Sequence, residues 1–445
     1  MSLPILFFER MQQQLGGQAA AFFSCYDRPA LRGLRLNPLK CSKEILAAAL
    51  PFPLEPAPFS PFSYYAPESF RPGREPLHHA GAFYMQEPSA AAAVTALRPQ
   101  PGERILDLCA APGGKSTQIA GLLAGKGLLW SNELVRSRAK ILLSNMERLG
   151  VRNAVVSSCA PEVLCTALAG FFDRVLVDAP CSGEGMFRRD ETAVQEWSPE
   201  HVDACAVRQQ AILESARQAV RPGGVLTYST CTFSPQENEG VVTEFLKRHA
   251  DFTLADCGLQ GGRPALEKAR RIYPMDGGEG HFVAVMRRDG DAPRLPAAGR
   301  FSESLAAKEL LGQLFAALPE GIPTQFGDKL YLLPQGLPPL QGLGVLRAGV
   351  LLGEEKPVHR KGALPRLEPA HAAFLAAEPR QLLQCVALER EDARVQAFLH
   401  GEEIEVPQEY RGYCGVSVSG VTVGFGKAGG GRFKNHYPKG LRMLG

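Results

Sequence analysis

The chain is 445 residues long and 45% hydrophobic, with a formal net charge of only +3, so we expect a globular protein of several domains. It has no apolar stretch near the roughly 20 residues that cross a bilayer, and its start lacks a secretory signal, which argues against a membrane protein and predicts a cytoplasmic location. Eleven cysteines without Cys-x-x-Cys pairs argue against a disulfide framework or a metal site and predict reduced thiols.

The first two thirds of the chain predict a helical segment followed by a region of alternating strands and helices. Residues 1–50 predict short helices, and the Pro- and aromatic-rich residues 51–72 predict a loop. Between residues 86 and 287, short β-rich runs alternate with longer helical runs, a pattern typical of a parallel sheet built from βαβ units. The predicted strands cover residues 104–109, 127–132, 154–158, 173–178 and 225–230, followed by a hairpin of residues 271–275 and 281–287.

A different organisation follows the predicted sheet. Residues 289–300 are rich in Gly, Pro and Ala and predict a linker. The βαβ rhythm stops there, so we expect a separate C-terminal module. Residues 415–425 alternate Val with Ser, Thr and Gly, which predicts a pair of strands. The end of this module is basic, because residues 410–445 contain six Lys or Arg and no Asp or Glu.

A loop of small residues between the first predicted strand and the next helix predicts a cofactor site. Residues 109–115 read Cys-Ala-Ala-Pro-Gly-Gly-Lys, and such small side chains let backbone amides approach a ligand, although the spacing is not that of a P-loop. Glu133 ends the second strand, where doubly wound folds place a carboxylate that holds ribose hydroxyls. A nucleoside ligand is therefore favoured over a plain tight turn. A dinucleotide also fits, but the closing hairpin favours the S-adenosylmethionine methyltransferase fold by analogy.

Two cysteines, Cys181 and Cys231, each follow a predicted strand, and the usual strand order of this fold makes those strands neighbours. A single cysteine is most often a small buried hydrophobe, but a Gly-rich strand end with Asp178 nearby favours a chemical role for these two. The set suits a pyrimidine: one thiolate adds to carbon 6, carbon 5 attacks a methyl sulfonium, and a second group assists release. The cysteines that we expect to be structural are Cys25, Cys41, Cys159, Cys165, Cys205, Cys257, Cys385 and Cys414.

On five motifs, at residues 35–40, 84–90, 109–115, 178–187 and 229–239, the chain resembles the RNA cytosine carbon-5 methyltransferases of the NOL/NOP/Sun family. Within that family it is similar to the RsmF-like ribosomal RNA methyltransferases, over nearly its whole length. The resemblance implies an α/β fold, with a Rossmann-like class I methyltransferase core around a seven-stranded, mostly parallel sheet. The implied parts are an N-terminal helical, RNA-binding segment (1–75), the S-adenosylmethionine-dependent core (76–288), a linker (289–300), a first C-terminal module (301–375) and a PUA-like RNA-binding module (376–445).

The resemblance also implies roles for individual residues. Cys231 is expected to be the nucleophile, Cys181 to assist product release, and Asp178 to contact the base and the cofactor. Ser158 follows the third strand, where the family usually has a carboxylate or amide that touches adenine, and we expect its hydroxyl or a backbone amide to substitute. The other residues expected to hold S-adenosylmethionine are Cys109, Ala110, Ala111, Pro112, Gly113, Gly114, Lys115 and Glu133.

Basic and aromatic residues are expected to bind RNA. Arg188 is predicted to meet phosphates near a base that has left its stack, with a plain surface charge as the alternative. Near the C-terminus, cations alternate with rings in a mixture that suits phosphate contacts and base stacking. The cations are Arg432, Lys434, Lys439 and Arg442, and the rings are those of Phe433, His436 and Tyr437.

These observations predict S-adenosylmethionine-dependent methylation of cytosine carbon 5 in RNA through a covalent Cys–pyrimidine intermediate. Ribosomal RNA of the small subunit is the favoured substrate, the ribosomal RNA or small subunit the favoured partner, and a monomer the expected state. One alternative is the same chemistry on transfer RNA. Another is a non-catalytic RNA-binding assembly factor that keeps the cofactor pocket, which the presence of both cysteines argues against. A thiol hydrolase is disfavoured because no His stands in a partner motif.

Overall fold

The computed structural model describes residues 3–317, 319–357 and 365–443. The α-helices are α1 (Ile5–Leu15), α2 (Ala19–Phe23), α3 (Lys43–Ala49), α4 (Pro76–His79), α5 (Ala92–Leu97), α6 (Gly114–Leu123), α7 (Arg136–Arg148), α8 (Pro161–Ala167), α9 (Glu191–Glu196), α10 (Pro199–Ala219), α11 (Val241–Arg248), α12 (Leu305–Leu314), α13 (His371–Leu375) and α14 (Ala393–His400). Within the described ranges, no helix is both long enough and apolar enough to cross a membrane.

In the described part of the chain, the strands belong to four sheets. In chain order they are β1 (Gly33–Leu36), β2 (Ser63–Tyr65), β3 (Phe83–Met85), β4 (Arg104–Asp107), β5 (Leu128–Asn132), β6 (Ala154–Ser157), β7 (Phe172–Asp178), β8 (Val220–Thr230), β9 (Phe252–Ala255), β10 (Arg263–Ala265), β11 (Ala269–Ile272), β12 (His281–Arg288), β13 (Ile322–Phe326), β14 (Lys329–Leu333), β15 (Val345–Ala348), β16 (Val350–Lys356), β17 (Arg366–Pro369), β18 (Cys385–Leu388), β19 (Ile404–Glu405), β20 (Gly412–Val418), β21 (Val421–Gly429) and β22 (Arg432–Asn435).

The largest sheet contains every strand predicted for the core. Its order is β10-β11-β12-β8-β7-β4-β5-β6-β15, with β9 paired to β12. Strands β4 to β8 run parallel to one another, whereas β12 runs antiparallel to β8. This is the mostly parallel methyltransferase sheet that the sequence predicted. Among the residues that the structure describes it has ten strands rather than seven, because β9, β10 and β15 extend it.

Helices cover both faces of this sheet. Adjacent residues of β4 show the two layers, since Leu106 packs in a cluster with Leu213 of α10 and Val241 of α11, whereas Ile105 packs in a cluster with Ile119 of α6 and Leu142 of α7. Parallel strands joined by helical crossovers are buried on both faces, which explains their nearly continuous apolar runs. The C-terminal ends of the strands therefore form one accessible edge.

Strand β15 comes from the region that we predicted to be a separate C-terminal module. It pairs antiparallel with β6, with Val345 opposite Ser157 and Ala348 opposite Val155. The methyltransferase sheet therefore receives its last strand from residues beyond the predicted linker.

The N-terminal segment contains strands as well as the predicted helices. β1 pairs antiparallel with β2 and with β3, so that Leu34 lies opposite Tyr64 and Met85. β3 lies beyond residue 75, the predicted end of this segment, so the pairing of these strands reaches to Met85. Strands of three or four residues are too short for a readable period, which is why the sequence indicated only helices and a loop.

The N-terminal unit and the C-terminal end of the chain share a hydrophobic cluster. Leu34 and Phe83 belong to the same buried cluster as Val416 and Phe433 of the last sheet, whose strand order is β18-β20-β21-β22-β19. An ion pair of 2.9 Å between Glu75 and Arg390 joins the two units at the same place. Two regions that the sequence predicted as separate ends of the molecule thus pack against each other.

Candidate active site

The two cysteines singled out from the sequence lie side by side at the C-terminal edge of the sheet. Strands β7 and β8 run parallel with Asp178 opposite Ser229, so the turns that follow them start at the same edge. The Sγ atoms of Cys181 and Cys231 are 3.3 Å apart, and both thiols are free and half-buried. The fold thus brings together two thiols that are 50 positions apart in the sequence.

Asp178 is the centre of a polar cluster at this edge. Its Oδ2 accepts a hydrogen bond of 2.7 Å from Lys115 Nζ in the first turn of α6, and its Oδ1 accepts one of 2.7 Å from Ser229 Oγ on β8. His281 Nε2, at the start of β12, lies 3.8 Å from Oδ1, which is too long for a hydrogen bond. Three elements of the core therefore converge on one carboxylate.

The neighbouring charges determine the protonation of this cluster. Burial raises the pKa of Asp178, but Lys115 and His281 outweigh burial and hold that pKa below its usual range. Burial alone would lower the pKa of Lys115, but the Asp178 carboxylate outweighs the effect of burial. The pKa of Lys115 is therefore raised above its ordinary value. The hydrogen bond with Cys231, together with burial, raises the pKa of Cys181 well above its ordinary value. At neutral pH the edge presents a carboxylate, an ammonium and a thiol that keeps its proton.

The loop of small residues lies at the same edge, between β4 and α6. Ala110 N donates to a carbonyl of β5 at 2.8 Å, and side chains of α7 donate to the carbonyls of Ala111 and Pro112 at 3.2 and 2.9 Å. Gly113 has φ +113°, in the region that favours glycine, and α6 begins at Gly114. The first amides of a helix have no intrahelical partner and suit an anionic ligand group.

Glu133 and Ser158 follow β5 and β6, the next two strands. One carboxylate oxygen of Glu133 accepts from Val135 N at 3.0 Å, and the other lies 3.5 Å from an exposed guanidinium, that of Arg138. Ser158 Oγ donates to the Leu134 carbonyl at 3.1 Å. The hydroxyl that we expected near adenine therefore has its hydrogen committed to the backbone, while its oxygen can still accept a hydrogen bond.

Four family models match successive parts of the chain. They are described as the N-terminal domain of 16S rRNA methyltransferase RsmF, matching residues 3–88, and 16S rRNA methyltransferase RsmB/F, matching residues 94–287. The RsmF rRNA methyltransferase first C-terminal domain matches residues 301–376, and the methyltransferase RsmF PUA domain matches residues 385–443.

Curated relatives match the chain over nearly its whole length. The ribosomal RNA small subunit methyltransferase F of Aliivibrio fischeri (strain MJ11) is 33% identical, and the alignment covers 99% of this chain and 97% of the relative. The chain belongs to the RsmF family of 16S rRNA methyltransferases. The protein of the same name from Klebsiella pneumoniae (strain 342) is 35% identical over 94% of this chain and 92% of its own length.

Solved structures resemble this RsmF-family chain over its core. A methyltransferase homolog from Pyrococcus horikoshii is 30% identical with a TM-score of 0.57, covering 64% of this chain and 94% of the other. NSun6 from Pyrococcus horikoshii, solved with SFG, has a TM-score of 0.56 over 64% of this chain and 98% of its own. At 24% identity the second likeness concerns the fold alone.

S-adenosylmethionine is the cofactor of this RsmF-family chain, and the edge described above fits it. Asp107, at the end of β4, is fully buried, and its Oδ1 has no hydrogen-bond partner among the described residues. Burial raises the pKa of Asp107 to about 7. S-adenosylmethionine is a nucleoside with an amino-acid tail. Its hydroxyl and charged groups suit the unpaired Asp107 Oδ1, the Glu133 carboxylate and the free amides at the start of α6.

Three further residues, not predicted from the sequence, contact this edge. Ser229 and His281 approach Asp178 from β8 and β12 as given above, and the signal available for both was their place at a strand end. Arg35 is the third, and its buried guanidinium donates to the Gly114 carbonyl at 2.5 Å and to Thr117 Oγ1 at 2.7 Å. The N-terminal unit thus holds the first turn of the helix that follows the cofactor loop.

Arg188 occupies a buried ion pair rather than a surface position. Its Nη1 lies 2.8 Å from Glu279 Oε1, the two side chains are 6% and 1% exposed, and its Nη2 donates to the Pro29 carbonyl at 2.7 Å. This burial contradicts the predicted phosphate contact, because the guanidinium is already paired and shielded from solvent. Arg188 instead ties the N-terminal unit to the core.

Two of the three rings expected to stack on RNA bases are also buried. Phe433 is 0% exposed within the cluster shared by the two ends of the chain, and Tyr437 is 3% exposed, with its hydroxyl 3.1 Å from His79 Nδ1. The expectation of base stacking is therefore wrong for Phe433 and Tyr437. Only the ring of His436 lies on an exposed residue.

The predicted RNA-binding cations of the C-terminal end differ in surroundings. Lys434 and Lys439 are exposed. Arg432 is exposed as well and pairs with Glu403 across the surface at 3.2 Å. Arg442 is half-buried, with its guanidinium against the backbone of Gly401. The two lysines are thus the least encumbered of the four.

Proposed function

We propose that this chain methylates carbon 5 of a cytosine in small-subunit ribosomal RNA through a covalent adduct with Cys231. The observation that supports this proposal most strongly is the 3.3 Å separation of the Cys181 and Cys231 Sγ atoms at the edge that carries the Asp178–Lys115 pair. A single thiol suffices for many reactions, whereas methylation of an unactivated pyrimidine carbon uses one thiol for attack and profits from another for release.

Cys231 is the proposed nucleophile. Its thiolate forms a bond between Sγ and carbon 6 of the cytosine, and the electrons of the carbon 5–carbon 6 double bond make carbon 5 nucleophilic as ring nitrogen 3 gains a hydrogen bond or a proton. When bound, S-adenosylmethionine supplies the electrophilic methyl group that carbon 5 takes.

Asp178 and Lys115 are the proposed contacts to the target base. The low pKa of Asp178 keeps its carboxylate ionised, so it accepts from the amino group of cytosine and repels the carbonyl that uracil carries at the same place. The raised pKa of Lys115 keeps its ammonium protonated, and this group supplies the hydrogen bond that nitrogen 3 needs. The two groups are 2.7 Å apart, so together they can contact the amino group and the adjacent ring nitrogen 3 of one cytosine.

Cys181 is the proposed release residue. After methylation the carbon 5 proton passes to water, its bonding electrons restore the carbon 5–carbon 6 double bond, and the carbon 6–sulfur bond breaks with its electrons on Cys231 Sγ. A thiol whose pKa is raised keeps its hydrogen and donates it in a hydrogen bond to the departing thiolate.

Ribosomal RNA as substrate is inferred from the relatives, which are named for the small ribosomal subunit. We propose that the N-terminal unit and the C-terminal PUA-like region bind this RNA, with Lys434, Lys439, Arg432 and Arg442 near its phosphates. We also propose that Cys109 to Lys115, Glu133, Ser158 and Asp178 hold the cofactor. The target cytosine must leave its stack to reach thiols that lie at a sheet edge.

The decisive experiment traps the adduct. Cys181→Ala is incubated with S-adenosylmethionine and small-subunit ribosomal RNA, and a denaturant-resistant protein–RNA species is expected on a gel. The Cys181→Ala, Cys231→Ala double variant should give none. Cys25→Ala, which changes another half-buried thiol, is the matched control and should turn over normally. Mass spectrometry of the product nucleosides should show 5-methylcytidine, and a methyl group at another position would overturn the proposal.

A further inference from the structure

The segment after Cys231 is one of the motifs by which the chain resembles its family, and the proposed chemistry assigns it no task. Residues 236–240 form a single π-helical turn that leads into α11. Such turns are rare and occur often at functional sites. Two adjacent side chains of this turn, Glu237 and Asn238, are polar and 0% exposed.

Glu237 binds the loop that carries Cys181. Its Oε2 accepts from Ser182 N at 2.9 Å, and its Oε1 accepts from the Ser182 hydroxyl. Gln209 of α10 donates to the same carboxylate at 2.8 Å and to the Pro180 carbonyl at 3.0 Å. The residues on both sides of Cys181 are thereby fixed, one directly and the other through Gln209.

Asn238 binds the loop that carries Cys231 in the same way. Its Oδ1 accepts from Thr230 Oγ1 at 2.6 Å, and its Nδ2 donates to the Thr232 carbonyl at 2.9 Å. Thr230 and Thr232 flank Cys231 in the sequence. One amide side chain thus holds both neighbours of the proposed nucleophile, Thr230 by its hydroxyl and Thr232 by its backbone carbonyl.

The two anchored loops are also joined to each other. The hydroxyls of Ser182 and Thr232 are 2.9 Å apart, and Gly185 N donates to the Cys231 carbonyl at 2.8 Å. Burial raises the pKa of Glu237 despite these hydrogen bonds, so a carboxyl group at this position is costly. A merely structural turn has no need of a buried acid whose side-chain contacts converge on one cysteine loop.

We propose that Glu237 and Asn238 are positioning residues with separate tasks, Glu237 holding Cys181 for release and Asn238 holding Cys231 for attack. The inference rests on the proposed function and extends it to two residues that do not touch the reacting atoms. Reacting groups must be held close to their productive geometry, and a displacement of about 1 Å can cost roughly 100-fold in rate. Each residue therefore controls a different step.

The test separates adduct formation from adduct release. Glu237→Gln keeps the size of the side chain but places an NH2 group where acceptors are needed, so release should slow by about 10-fold or more while adduct formation changes by less than about 2-fold. A denaturant-resistant protein–RNA species should then accumulate, as in Cys181→Ala. Asn238→Asp removes the donor to Thr232, and adduct formation measured in the Cys181→Ala background should slow by about 10-fold or more.

Glu239→Gln is the matched control, because Glu239 lies in the same turn but its carboxylate pairs with Arg271 at 2.5 Å, outside both cysteine loops. Its adduct kinetics should match those of the unchanged chain. Thermal melting and calorimetry with S-adenosylmethionine identify variants that fail to fold. If Glu237→Gln or Asn238→Asp fails to fold, Gln209→Leu weakens the Cys181 anchor and Thr230→Val the Cys231 anchor, and the two should give the same separate effects with smaller size.

The possible outcomes are distinct. If Cys181→Ala traps an adduct and folded Glu237→Gln does not, Glu237 has no role in release and the inference is wrong. Equal slowing of both steps in both variants would mean a general structural role and would also overturn it. If Cys181→Ala itself traps no adduct, the proposed function is wrong. That result would count against the proposed chemistry and not against the roles of Glu237 and Asn238.

Discussion

Lys115 Nζ lies 2.7 Å from Asp178 Oδ2, although the two residues are 63 positions apart in the chain. Lys115 belongs to the helix that follows the cofactor loop, and Asp178 ends the strand that leads to the first cysteine. This contact joins the cofactor side of the edge to the side that carries the thiols. A change on one side is therefore expected to alter the other.

Replacing Cys231 by Ala should abolish methyl transfer and leave cofactor binding intact, because the thiolate is needed only to activate the base. The measurement is incorporation of labelled methyl groups into ribosomal RNA, with calorimetry of S-adenosylmethionine binding in parallel. Methyl transfer at the rate of the unchanged chain would remove Cys231 from the role of nucleophile.

Replacing Glu133 by Ala should weaken S-adenosylmethionine binding by about 1.5 to 3 kcal/mol, the range for a hydrogen bond to a charged group. Calorimetry measures the effect directly. Glu162→Ala, which removes an exposed acid on α8, is the control and should bind the cofactor as before. An affinity unchanged by Glu133→Ala would place that carboxylate outside the cofactor site.

Asp107 should make the stability of the fold depend on pH. Its pKa is raised by burial to about 7 in the folded chain, against about 3.9 when unfolded. Between these values the folded state holds a proton that the unfolded state has released, so the free energy of unfolding falls as pH rises, by up to about 1.4 kcal/mol per pH unit. Its contribution is complete below pH 4 and lost above pH 7.

Urea unfolding of the chain and of Asp107→Asn between pH 5 and pH 8 checks this expectation. The unchanged chain should lose stability relative to Asp107→Asn across that interval, since Asn cannot ionise. Parallel curves at all pH values would show that the Asp107 carboxyl does not titrate there.

The basic C-terminal end should contribute to RNA affinity through its charge. Changing Arg432, Lys434, Lys439 and Arg442 together to Ala should weaken RNA binding and flatten the plot of log affinity against log salt, because each lost phosphate contact removes a slope of roughly 0.7 to 0.9. Since Lys434 and Lys439 are the least encumbered, the double variant of these two should retain most of the effect. Cofactor binding should not change.

A control of equal charge uses cations of other surfaces. This control variant replaces with Ala four cations that lie in surface ion pairs, namely Arg217, Arg248, Lys308 and Arg380. Similar slopes for the two quadruple variants would mean that net charge, rather than a binding surface near residue 434, sets the salt dependence.

The core of the fold was predictable because its strands are apolar runs bounded by Gly-rich turns. The runs that form β5 and β6 are buried throughout. Such apolar runs can be recognised as strands from the sequence without knowledge of the strands they pair with. The strand β15 was not predictable, because its burial depends on β6, a partner nearly 200 positions away. Strands β1, β2 and β3 were missed for the same reason, since each is short and pairs only across the N-terminal unit.

In the candidate site, too, the positions of side chains that depend on distant partners could not be predicted. Cys181, Cys231 and Asp178 were predictable because a polar residue after a buried strand faces the sheet edge. Arg188 was misplaced because its partner Glu279, 91 positions away, is invisible in the local sequence. A basic residue near a catalytic motif indicates a phosphate contact only if no buried acid has already neutralised it.

Strand β15 also has a consequence for the solubility of shortened forms of the chain. Its pairing leaves no open backbone on the outer side of β6, whose four residues are buried and uncharged. A fragment that ends at the linker would expose that strand as an apolar edge, the type of surface at which sheets of different molecules join and aggregate. The module after the linker is thus expected to protect the core from self-association.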